Sequence, residues 1–368
     1  MLWAVSRFNW PERIPGCEMT ILRKRPPSSF RVRRQTPAHV AAWTGEGESK
    51  ISFLEERATA AIFSFAGTAV FAGIFTAIDI GYITGRWISS HEYYIVCEHK
   101  WDDSYKAFAH TRADGTIEDY FYWGMFGGSG SKSKIRSLKG QSLAQSLTTQ
   151  NQIDGATANG LGWYIHPWSR RECIKDLLVL MAKSTDTQTA YGKGNCQSAS
   201  GAAGLLTTGT LSDKGQFWGS TANNQQIKVF YIEGFWGDQW LRTAGIINNS
   251  GPIYYKMTPE GKGYRVNDVE GYTDSGVTIT GTISQRYISA TKCGEFGCIP
   301  TTFSGSESTF ECDGAWSNQT QLSYLLAGAS ARFAPGLGGA FAFDVTDAPS
   351  IAGWDTGCGL SADMPKEE

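Results

Sequence analysis

The sequence predicts an α+β fold, loop-rich, with short antiparallel strands and one or two packing helices behind an N-terminal arm. Three observations carry that expectation. Glycine and tryptophan are both abundant, 43 and 13 of 368 residues; glycine permits tight turns, and tryptophan supplies large packing area with a polar edge. Apolar residues recur in short runs separated by turn signals, the pattern of an antiparallel sheet. One stretch, Ser169 to Lys183, carries the helical period. With 41% hydrophobic and 18% charged residues the chain is neither disordered nor collagen-like. A formal charge of -2 gives no global electrostatic case for nucleic acid, which is not expected among its partners.

Residues 1–57 read as a basic, poorly ordered arm, with Arg23, Lys24, Arg25, Arg31, Arg33 and Arg34 around Pro26 and Pro27. The apolar segment at 58–84 has no charge between Arg57 and Asp79. It is long enough to span a bilayer with the arginines inside. It reads equally as two short buried strands around a glycine turn, with Phe63, Phe65, Phe71 and Phe75 packed inward. The sequence leaves both readings open.

The domain proper is placed at 85–368. Strands are expected from Tyr82 to Met125, with a hairpin turn at Ala113-Asp114-Gly115-Thr116. Gly127 to Lys134 then reads as a flexible loop. In the helix at Ser169 to Lys183, Ser169 caps with Glu172 three residues on, and Ile174, Leu177, Leu178 and Met181 share a face. Residues 191–226 read as a long loop in which Gly192-Lys193-Gly194 lacks phosphate-loop spacing. Strands and turns alternate over 227–290, and the last seventy residues read mostly as loop.

Catalytic patterns are sparse. The eight cysteines include no CxxC pair, and the histidines, His39, His91, His99, His110 and His166, have no metal-ligand spacing, so neither a metal nor a cofactor is expected. Cys293 and Cys298 are placed to bridge a hairpin in an exported domain; the other cysteines read as structural thiols. No G-x-S-x-G elbow occurs. Glu118 with Asp119, or Glu307 with Glu311, supply the two carboxylates a glycosidase needs, which keeps a glycan-active enzyme as an alternative.

The order of features over about residues 85 to 365 resembles the C-type-lectin-fold variable domains of phage tail-tip proteins, including those diversified by retroelements. More distantly it is similar to formylglycine-generating-enzyme-like domains. The residues that carry the resemblance are the helix, the aromatic segment Glu233 to Trp240, and the glycine-rich stretch Tyr324 to Ser361. Within that stretch Leu326 to Ser330 stands at the turn, Gly338-Gly339-Ala340-Phe341 opens a buried strand, and Gly357 to Ser361 forms the closing strand. The enzyme branch needs a reactive cysteine pair near the C-terminus, where this chain has only Cys358. The calcium-dependent sugar-binding branch needs motifs of which only Gly353-Trp354-Asp355-Thr356 is present.

What the resemblance implies is display on loops at about 304–361. Its ligand-binding residues would be Trp316, Ser317, Asn318, Ser330, Arg332, Phe333, Val345, Thr346, Asp347, Asp355 and Thr356. The expectation is a non-enzymatic receptor-binding protein at a virion tail tip, an oligomer attached through its N-terminal region to other tail proteins and directed at a host-cell surface receptor. The alternatives are a bacterial adhesin anchored by Ala58 to Ile78, and an enzyme on the same scaffold.

Overall fold

Short apolar runs of two to ten residues, broken by glycine and polar turns, make strands rather than helices, and the computed structural model is sheet-rich with few helices. It describes residues 108–118, 120–258 and 264–363, and the strand pairing of Lys50–Ile51, Phe75–Asp79, Ile83–Ile88 and His91–Ile95. Apart from these strands, the expectations for 1–57 and 58–84 lie outside the described residues. At the end of the apolar segment, Phe75–Asp79 is a strand paired antiparallel with Tyr120–Gly124. Among the described residues no helix is long and apolar enough to cross a membrane.

The largest sheet has eight strands. Its order runs Thr273–Thr278, Pro252–Tyr255, Trp240–Asn249, Leu322–Ala327, Phe343–Val345, Gly314–Ser317 and Ile283–Tyr287, with Thr356–Gly357 beside the start of Trp240–Asn249. Trp240–Asn249 is buried along nearly its whole length, which is why it lacks polar alternation and reads Trp-Leu-Arg-Thr-Ala-Gly-Ile-Ile. Its pairing with Leu322–Ala327 shifts register between Arg242 and Ile247. A second sheet of four strands places the C-terminal strand Leu360–Asp363 between Tyr120–Gly124 and Trp163–Ile165. The Gly357 to Ser361 stretch therefore closes the fold from inside a sheet.

Among the described residues there are three α-helices, α1 (Thr149–Thr157), then after the strand Trp163–Ile165 α2 (Trp168–Ala182) and α3 (Thr187–Tyr191). The expected helix is α2, and Ile174 and Leu178 are fully buried in a cluster with Trp123, Phe230, Phe235 and Trp236. Its predicted cap is corrected. Pro167 takes the capping position with no side-chain bond, because proline is preset for a helix start and loses no needed N–H there. Ser169 falls inside the first turn, and Glu172 reaches Lys175 Nζ at 2.5 Å and the Cys298 amide at 2.8 Å.

The polar side of α2 is covered as well. Arg170 donates to the Ala109 carbonyl at 3.1 Å and Ser361 Oγ at 2.9 Å and pairs with Asp363. Arg171 lies 4.2 Å from the centre of the Phe235 ring and donates to its carbonyl. A helix with one apolar stripe is thus internal, its cations paid into buried partners instead of solvent.

Other expectations change in the same direction. The turn at Asp114-Gly115 forms, with Gly115 at φ 82° and Thr111 bridged to Ile117. Gly127 to Lys134 is not a flexible loop: Gly128–Ser131 and Lys134–Ser137 pair as a hairpin. At Gly130, φ is 112° and a Cβ would come within 2.4 Å of the Lys134 carbonyl, so glycine there permits close packing, not mobility. The last seventy residues are mostly loop, as expected, with short strands set in it, but the buried strand begins at Phe343, after the Gly338-Gly339 turn.

Candidate functional site

The C-terminal segments meet along the Leu322–Ala327 strand of the large sheet. Gly314–Ser317 runs parallel to Phe343–Val345, so Trp316 lies opposite Asp344 and Ser317 opposite Val345. Leu322–Ala327 pairs with Phe343–Val345 from the other side. After Ala327 the chain turns at Gly328 (φ 94°) and Ala329 (φ 65°). A Cβ on Gly328 would sit 3.0 Å from the Phe235 carbonyl and 3.1 Å from Trp236 Cα, so the turn at Leu326 to Ser330 needs glycine for close approach.

Beyond it Phe333 lies on two tryptophans, its ring centre 4.9 Å from Trp316 and 5.5 Å from Trp240, which are 5.3 Å apart and edge-on. Ser330 Oγ donates to Asp355 at 3.1 Å. Trp240 and Thr356 are paired residues of adjacent strands. Asn318 Nδ2 donates to the Thr346 carbonyl, and Asp344 accepts both the amide (2.8 Å) and the hydroxyl (2.6 Å) of Thr346.

The four stretches of sequence meet through Trp316 with Phe333, Ser330 with Asp355 and Arg332 facing Asp347, while Asn318 and Thr346 lie farther along the sheet, level with Gln321 and Ser323. Exposure differs among the eleven display positions. Arg332 is exposed, and Asn318, Phe333, Thr346 and Asp347 are half-buried. Trp316, Ser317, Ser330, Val345, Asp355 and Thr356 are buried, so the expectation that these six stand on loop surfaces is corrected. They occupy strand positions or hold the loop from beneath, as Ser330 does through its bond to Asp355 and Trp316 through its ring contacts with Trp240 and Phe333. Of the aromatics in and around these segments, Trp236, Trp240 and Phe343 are buried, whereas Phe341 and Trp354 are half-buried.

Beneath the exposed residues lies a set of buried charges. Arg242, fully buried, donates to Thr149 Oγ1 and the Ile351 carbonyl. Burial lowers its pKa to about 10, against the attraction of Asp347 and Asp344. Burial pushes Asp344 up to about 7, with Asp347 and Asp355 adding to the rise and the Thr346 hydrogen bonds opposing it. Asp347 is also raised by burial, opposed by Arg242 and Arg332. Arg332, Asp347 and Arg242 therefore alternate in charge from the surface inward.

Two residues central to this region had no signal in the sequence. Asp344 sits in an ordinary apolar run, and Asp238 lies in Gly-Asp-Gln-Trp, where an aspartate reads as a turn residue. Asp238 is buried, with φ 71° and its carboxylate pushed to about 6 by desolvation.

The residues weighed for chemistry are placed otherwise. His110 is held near 3 by burial, and His166 stacks on Trp123 at 3.7 Å and is lowered well below its usual value by burial. Burial pushes the Cys196 and Cys358 thiols up to about 12, unreactive as nucleophiles. Cys293 and Cys298 are bridged across a hairpin of Ala290–Gly294 and Gly297–Thr302. Glu118 pairs with Arg112, and Glu311 is raised by burial near Thr291, while Glu307 is exposed. Among the described residues no three His, Cys, Asp or Glu side chains form a metal-holding group.

Comparison with known protein families finds no match, and neither does comparison with curated proteins. Among solved structures, the chain is similar to one titled "Major Tropism Determinant U1 Variant". The alignment covers 90% of this chain and 85% of that chain at 10% identity with a TM-score of 0.30. A likeness at that level carries no argument about fold or function.

Proposed function

We propose that this protein is a non-enzymatic receptor-binding protein of a phage tail tip, built on a C-type-lectin-like scaffold. In this reading it engages a host-cell surface receptor, protein or glycan, through the C-terminal loops of the large sheet. It works as an oligomer attached to other tail proteins through its N-terminal region. The observation that carries the reading is the convergence of four sequence stretches along one strand of the sheet. There Arg332, Phe333 and Asp347, with Asn318 and Thr346 farther along the sheet, reach the surface above a fixed frame of Trp240, Trp316, Ser330 and Asp355.

A mixed cationic, anionic and aromatic surface on a rigid base binds without a metal or a nucleophile, since little conformational entropy is lost on contact. The buried six supply rigidity; exposed Arg332 and the four half-buried residues supply contact. The test is binding of the full chain to intact bacterial cells, comparing the parent with the double variant Arg332→Ala, Asp347→Ala. The expected result is loss of binding with an unchanged near-ultraviolet circular dichroism spectrum. Equal binding by both proteins would overturn the reading.

A further inference from the structure

Exposed Arg332 and half-buried Phe333 stand on a segment with almost no sheet pairing of its own. Backbone buried away from water must still find partners. For this segment the partners lead to one side chain. The Asp238 carboxylate accepts three hydrogen bonds from three places: the Leu206 amide at 2.9 Å and Asn195 Nδ2 at 2.7 Å on Oδ1, and Gln226 Nε2 at 3.0 Å on Oδ2. Its own amide donates to the Asn195 carbonyl at 2.9 Å, and its carbonyl accepts the Ala331 amide at 2.8 Å.

From there the connections reach the display segment directly. The Ala331 carbonyl accepts from Gln197 and Ala199 at 3.3 and 2.8 Å, and the Phe333 carbonyl accepts from Ser198 at 3.0 Å. The 195–206 loop is folded on itself by the same group: Asn195 Nδ2 also donates to Gly204 (2.8 Å), and Gln197 Nε2 bridges Asn195 Oδ1 and Gly204 at 2.9 Å each.

We propose that Asp238 is the positioning residue of the receptor-contacting surface: it fixes the 195–206 loop, and that loop in turn fixes the backbone that presents Arg332 and Phe333. The inference rests on the reading of that surface as the contact surface. The carboxylate suits the task because it is acceptor-only, so two oxygens satisfy three convergent donors that would otherwise be orphaned in the interior. A neutral donor or an apolar side chain at 238 leaves them unpaired.

The test is hydrogen exchange of the full chain, without any receptor, in three variants. Asp238→Gly removes the carboxylate and accepts the positive φ without strain. Asp238→Asn keeps an oxygen for Leu206 and Asn195 and offers an amide to Gln226, whose own amide turns over to present its oxygen. Gln226→Met removes one donor of the three. In Asp238→Gly, exchange of amides in 197–206 and 331–333 is expected to rise about tenfold or more over the parent, with Tyr324–Ala327 unchanged. Asp238→Asn restores protection to near the parent, and Gln226→Met gives a smaller rise in the same amides.

The inference is overturned by unchanged exchange in both loops of Asp238→Gly, by an equal rise throughout Tyr324–Ala327, or by failure of Asp238→Asn to restore protection. Should Asp238→Gly not fold, an unchanged Gln226→Met overturns it as well. Exchange and cell binding separate the two ideas. Loops locked by Asp238 in a chain that binds no cell would remove the receptor reading and keep the positioning role.

Discussion

Two surface regions of this molecule are held in shape by opposite means. The hairpin of Ala290–Gly294 and Gly297–Thr302 is a ladder of paired residues closed by the Cys293–Cys298 bridge, and much of it is exposed. The segment from Gly328 to Gly339 has no strand, and its inner side is buried against Trp240, Trp316 and Leu326. The hairpin satisfies most of its backbone through its own ladder, with only the Cys298 amide going to Glu172 and the Phe296 carbonyl to Trp168 from outside it among the described side-chain bonds. The display segment borrows acceptors from the Asp238 carbonyl and the Asp355 carboxylate and donors from the amides of Gln197, Ser198, Ala199 and Gly237, while buried Arg242 ties Thr149 to Ile351. Irregular backbone can be as rigid as a sheet when buried polar side chains complete it, but then those side chains are frame and not surface.

The largest test of that difference is Arg242→Met, which leaves the Ile351 carbonyl and Thr149 without their donor and removes the cation facing Asp344 and Asp347. Loss of about 3–5 kcal/mol is expected from urea unfolding, since a buried charge group is left uncompensated. A loss below about 1 kcal/mol would mean the polar frame is dispensable.

The next separates the regions by pH. The folded-state pKa of Asp344, about 7, lies above its ordinary value of 3.8. The folded protein therefore binds the proton more tightly, and this contribution to stability is complete below about pH 4 and lost as the pH rises to about 7. Asp344→Asn keeps the oxygen that accepts from Thr346 and should flatten that decline, making the variant the more stable protein at pH 8. Urea midpoints at pH 4 and pH 8 check it; parallel pH dependence in parent and variant would sink it.

The hairpin should respond less. Cys293→Ser with Cys298→Ser opens a loop of sequence separation 5, and chain entropy gives a loss of about 2 kcal/mol. Exchange should rise in the hairpin while amides of 197–206 and 331–333 stay protected, and spread of the effect into those loops would show the regions are coupled. Smallest of all is Arg332→Ala, a surface change expected to move stability by less than about 0.5 kcal/mol while cell binding falls. A stability loss comparable to Arg242→Met would make Arg332 part of the frame.

Local pattern was enough for several elements. The apolar face of α2 and the Asp114-Gly115 turn depend on residues near one another in sequence, and both were legible. The cap of α2 was misread because Ser169 and Glu172 fit a capping pattern that Pro167 pre-empted. The hairpin at Gly128–Ser137 was misread because glycine marks both mobile chain and chain packed too closely for a side chain. Only the contacts tell these apart.

Composition and short apolar runs determined a sheet-rich, loop-rich protein, and the glycine-rich C-terminal stretch marked where the segments converge. Which residues of that stretch face outward was decided by tertiary structure alone. Trp316 is covered by Phe333, Ser330 by Asp355, and the 331–333 backbone is tied through Asp238 to Asn195. Burial is a property of what packs on a side chain, and when the covering residue lies tens of positions away, no local period records it.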